Sequence, residues 1–141
     1  MTTRLSARRV VPGEPAAVVL LITGPDAAQY LARTTLTSVL PGGVDGVLHV
    51  SDEDERAVHV VTSPPRRTPT AYISEFRAEV DGMPTSHGAL HVMSAGPGQS
   101  EVDFALTAED EIPAEFVAVF EGLANGFFDG LERALSGRPA A

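Results

Sequence analysis

The clearest hydrophobic period lies in the last third of the chain. Phe116, Phe120, Leu123, Phe127, Leu131 and Ala134 recur at steps of three and four, while Glu121, Asn125, Asp129, Glu132 and Ser136 occupy the opposite side. That is the pattern of an amphipathic helix. Pro113 suits a first helical turn, Asp110 and Glu111 precede it where the helix dipole favours negative charge, and Gly137 is a natural stop. The spacing predicts one helix over residues 113–136, holding four of the six phenylalanines.

Before it the period changes to two. Tyr72, Ser74, Phe76, Ala78 and Val80 alternate with Ile73, Glu75, Arg77 and Glu79, which predicts a strand. Gly88–Ser94 and Ser100–Thr107 flank the turn-rich Ala95-Gly96-Pro97-Gly98-Gln99 and predict a hairpin. Pairing Ser94 with Ser100 sets His91 opposite Asp103. Counting instead through the loop from Asp81 to Ser86 sets His91 beside Phe76, on the other face, and the two counts conflict. Val44–Ser51 and Arg56–Thr62 predict another hairpin across the acidic run Asp52-Glu53-Asp54-Glu55. Pairing Val50 with Val58 puts Leu48, Val50, Val58 and Val60 on one face and sends His49 and His59 side by side to the other. Leu5–Val11 is a first strand. Residues 14–22 are ambiguous: Val18-Val19-Leu20-Leu21-Ile22 is β-rich by propensity, while Pro15 and the Gly24-Pro25 stop also fit a short buried helix. Asp26–Arg33 has the cap and length of a second short helix.

Composition narrows the chemistry. The 141 residues suit one domain. Cysteine is absent, and all ten basic residues are Arg, so neither thiol nor lysine chemistry is on offer. A net charge of −9 argues against nucleic acid as partner. The longest apolar run, Ala16–Ile22, is too short for a membrane span, which needs about twenty residues. Arg4, Arg8 and Arg9 lead into Pro12-Gly13-Glu14-Pro15 rather than the apolar core of a signal peptide. A cytoplasmic location is the expectation.

Four stretches, SARRVVPGEPAAVVLLITGPDAAQYL, VTSPPRRTPTAYISEF, GALHVMSAGPGQSEVDFAL and IPAEFVAVFEGLANGFFDGLERALSG, span nearly the whole chain. Their order resembles that of the START-type helix-grip superfamily (SRPBCC), which includes birch-pollen-allergen-like proteins and polyketide cyclase/dehydrase proteins. The resemblance implies an α+β fold: a curved antiparallel sheet wrapped around a long C-terminal helix, with two short helices after the first strand, the first of them resolving the ambiguity at 14–22. It also implies a cavity between sheet and helix for an apolar or amphipathic small molecule. The chain departs from the family pattern in having no tryptophan and in keeping only Tyr30 of an aromatic pair.

On that frame Ser74, Phe76, Phe104, Phe116, Phe120 and Phe127 are the candidate ligand-binding residues. If the protein is a cyclase, proton transfer is needed. The candidate catalytic set is then Tyr72, polarising a substrate carbonyl, and His91 as a base oriented by Asp103. A surface cross-strand pair is the plain alternative for the last two. A lipid or small-molecule carrier, with no chemistry, is the competing function. No metal or organic cofactor is expected: His87 and His91 share a strand face too far apart to chelate, and the acidic run lacks the glycine and spacing of a calcium loop. Gly122, Gly126 and Gly130 recur at every fourth position of the helix, as though something must lie close, and leave a homodimer open. Arg66-Arg67, in a Pro-rich loop, stands either in solvent or at the rim of a pocket facing an anion.

Overall fold

The structure is a computed structural model that describes residues 3–23, 34–40 and 42–136, without the side chains of Val39 and Leu40. Strand β1 (Thr3–Val11) is followed by helix α1 (Pro15–Thr23), then β2 (Thr34–Leu40), β3 (Gly43–Ser51), β4 (Asp54–Thr62), the two-residue β5 (Arg66–Arg67), β6 (Ala71–Val80), β7 (Ser86–Gly96), β8 (Gln99–Ala108) and helix α2 (Ala114–Leu135). The strands form one antiparallel sheet in the order β1-β8-β7-β6-β4-β3-β2, with β5 pairing β6. This is the expected α+β helix-grip architecture. The expected first short helix is α1; the second, over Asp26–Arg33, lies outside the described residues.

Helix α2 follows its hydrophobic stripe. Phe116, Val119, Phe120, Ala124, Phe127, Phe128 and Leu131 are buried, and Pro113 occupies the N-cap position. Arg9 on β1 fastens the outer side of the helix, pairing with Asp129 and Glu132 and lying over the Phe128 ring. Helix α1 is held from the sheet's end. The Ser100 hydroxyl donates to the Gly13 carbonyl, and the Gly98 amide donates to the Glu14 carboxylate. Gly96 and Gly98 have positive φ, which lets the β7–β8 turn bend back to meet this junction.

Strand faces follow the predicted alternation, but two registers differ from expectation. The β3–β4 hairpin turns over only Asp52 and Glu53, so Gly46, not Val50, lies opposite Val58, and a bulge falls between His49 and Ser51. The offset is an even number of residues, so Leu48, Val58 and Val60 keep their inward face. His49 and His59 do face outward, but apart: His49 pairs with Glu55 and His59 with Asp45. Between β6 and β7 the partner of Phe76 is Gly88, and His91 lies opposite Ile73. A side chain on Gly88 would run into the Phe76 ring and the Ala105 carbonyl, so the ring lies against bare backbone there.

Candidate functional site

The interior of the grip divides into two packed clusters. One gathers Phe127, Phe128, Leu131, Tyr72, Val92 and Val102 with α1; the other gathers Phe116, Val119 and Phe120 with Leu48, Val80 and Leu106. Phe104 touches both. Its ring centroid lies 5.7 Å from Phe76, 5.4 Å from Phe120 and 6.2 Å from Phe127, all in tilted contacts.

Beside the second cluster, beneath the first half of α2, lies a cavity of about 130 Å³. Phe76, Phe104, Phe116 and Phe120 line it. Leu48, Val58, Val60, Leu106, Ile112 and Val119 also line it and were not among the candidate ligand-binding residues. Their signal was present, since each strand member occupies an inward position of an alternating run. Among the described residues the lining contains no titratable side chain; Thr34 and Ser86 are its only polar members. Ser86 is fully buried and its hydroxyl donates to the Ala78 carbonyl at 3.4 Å. The volume approaches the about 150 Å³ of a dry engineered cavity that takes up benzene.

The other expected site residues lie elsewhere. Phe127 packs in the first cluster, against Phe128 and Phe104, and is not in the cavity wall. Ser74 is half-buried opposite Leu90 and lines neither space described here. His91 and Asp103 are cross-strand neighbours, as the hairpin count predicts. However, each alternates with inward residues, Val92 and Val102, so the pair stands on the outer face of the sheet. His91 there lines a shallow groove with Ile73, Glu75 and His87. The expected His–Asp dyad inside the cavity is corrected accordingly: counting through the Asp81–Ser86 loop shifts the register by an odd number, which reverses the face.

Tyr72 is buried and faces inward, but into a second space, a cleft of about 480 Å³ between α1 and the β5–β6 turn. Arg67 lies across from it, its guanidinium carbon 5.7 Å from the ring centroid. Burial pushes the Tyr72 phenol above its ordinary value near 10, and the neighbouring Arg67 charge and Ser74 partly offset this. A phenol whose folded-state pKa is raised stabilises the fold fully below its unfolded value, and that contribution is lost as pH rises through the folded value. An ultraviolet phenolate titration is expected to show one tyrosine ionising late, and Tyr72→Phe to remove that step. Two tyrosines ionising together at the ordinary value would contradict this environment.

No protein-family model matches the chain, and no curated protein matches it in sequence. Solved structures do match its fold over nearly the whole length. A START superfamily protein from Mycobacterium smegmatis superposes with a TM-score of 0.68 at 9% identity, covering 94% of this chain and 97% of its own. Ara h 8.0201 gives 0.66 at 13%, covering 98% and 100%. Norcoclaurine synthase from Thalictrum flavum gives 0.66 at 12%, covering 99% and 96%. The chain therefore has the START-type helix-grip fold. Among the described residues no helix is long and apolar enough to cross a membrane, and no group of three or more His, Asp or Glu side chains is placed to hold a metal ion.

Proposed function

We propose that the protein holds a small, uncharged apolar molecule in the cavity beneath α2, as a carrier or sensor and without transforming it. The observation that carries this is the lining: aromatic and aliphatic walls, with no titratable group among the described residues. Such walls favour apolar contact and penalise a buried charge. The START-like fold of the solved structures is consistent with a ligand-holding role. A polyketide cyclase would need a proton-moving group beside the bound chain. Tyr72 faces the separate cleft, and His91 and Asp103 face outward, so binding without chemistry is the better supported reading.

Calorimetric titration with benzene, a neutral probe of the cavity's size, tests this. Benzene is expected to bind the folded protein, and Val119→Trp or Leu123→Trp, which fill the cavity, to weaken binding at least tenfold. Using both variants guards against one of them failing to fold. Unchanged benzene affinity in a folded filled variant would remove the cavity from the function.

A further inference from the structure

We propose that the cleft between α1 and the β5–β6 turn is a second binding site, for an amphiphilic carboxylate whose head group is held by Arg67. This site is separate from the cavity beneath α2 and does not rest on the carrier reading.

The placement of Arg67 begins with two prolines. Strand β4 pairs with β6 so that Thr62 lies opposite Phe76, and β5 continues in the same direction beyond Ser63-Pro64-Pro65. The Ser63 amide still donates to the Glu75 carbonyl, but proline has no amide hydrogen to give to a ladder, so pairing lapses at Pro64-Pro65 and resumes with a changed offset. After it Arg66 lies opposite Ile73, and Arg67 opposite Tyr72. The two adjacent arginines are thereby sorted. Arg66 joins the outer face, where it pairs with Glu75. Arg67 joins the face of Tyr72, with its guanidinium carbon over the ring.

Arg67 has no carboxylate partner among the described residues. Its guanidinium fork can donate two parallel hydrogen bonds to a planar carboxylate. The rest of the cleft suits an amphiphile. Ala16, Val19, Tyr72 and Val92 give it apolar surface, Thr70 and Ser94 give hydroxyls, and among the described residues no Asp or Glu lines it. The Thr68 hydroxyl accepts the amide hydrogens of Thr70 and Ala71, which fixes the turn that carries the rim. One arginine matches one negative charge; a phosphate dianion would call for more cations than this wall holds, in a chain of net charge −9.

An NMR titration of backbone amides with octanoate, and with octanamide as its uncharged counterpart, tests the proposal. Octanoate is expected to shift amides around Arg67, Tyr72 and Val92, and octanamide to bind there at least tenfold more weakly. Arg67→Gln, an exposed change, is expected to weaken octanoate at least tenfold, whereas Arg66→Gln leaves it within twofold. Equal affinity of Arg67→Gln and the unsubstituted protein would overturn the proposal, as would octanamide binding the cleft as well as octanoate. Octanoate shifts confined to the neighbourhood of Phe116 and Phe120 would overturn it too, while leaving the cavity reading standing.

Discussion

Phe120→Asp is expected to leave the chain unfolded at room temperature. Phe120 is buried in α2, in contact with the Phe104 ring and at the cavity wall. Truncating such a ring costs about 3–5 kcal/mol. A carboxylate in the same place has no cation among the described lining residues to pair with, and burying it adds several kcal/mol or forces it to take up a proton. The sum rivals the whole stability of an ordinary domain, about 5–15 kcal/mol. Circular dichroism through a urea series measures the loss. Leu20→Asp is the matched control, because Leu20 is 74% exposed on α1, and a shift within about 0.5 kcal/mol is expected there. A Phe120→Asp protein that melts with the unsubstituted one would mean that α2 does not seat this face on the sheet.

Phe104→Ala should both destabilise the protein and widen what it accepts. Phe104 is half-buried, yet its ring meets three others and joins the two clusters. Its loss is expected to cost about 3 kcal/mol, the lower end for such a truncation. Each ring pair adds roughly 0.5–1.5 kcal/mol beyond buried area. The vacated space lies between the cavity and Phe127, so neutral aromatic probes too large for the native cavity should gain affinity. Calorimetry across a size series of neutral arenes checks the second effect, and denaturant unfolding checks the first. A cost below about 1 kcal/mol, with the size preference unmoved, would show that Phe104 does not close the cavity on the Phe127 side.

How much of this was legible in the sequence depended on the strength of each local signal. Helix α2 was plain, because six apolar positions keep one face over more than five turns. The β7–β8 register was plain because Gly96-Pro97-Gly98 marks the turn and so fixes the count from Ser94 and Ser100. The β3–β4 register was misjudged because all four acidic residues were given to the tip, whereas Asp54 and Glu55 belong to β4. The error spared the faces only because it was even. The loop before β7 offered no such marker, and the odd count through it put His91 on the wrong side. Helix α1 was not legible from its own residues, since Val18 to Ile22 suit a strand as well; the superfamily resemblance decided it. The sorting of Arg66 from Arg67 was invisible, because it depends on how a proline pair resets a ladder. Tyr72 was expected among cavity residues because parity fixes a face but not a position along the strand. Its end of β6 lies beyond the rings that close the cavity.

All four histidines, His49, His59, His87 and His91, occupy the outer face of the sheet. Among the described residues the wall of the cavity beneath α2 holds no group that can gain or lose a proton. An uncharged guest held there would meet the same wall in a mildly acidic and a neutral medium, so release would have to come from a change of shape or a competing molecule rather than from protons taken up by the wall.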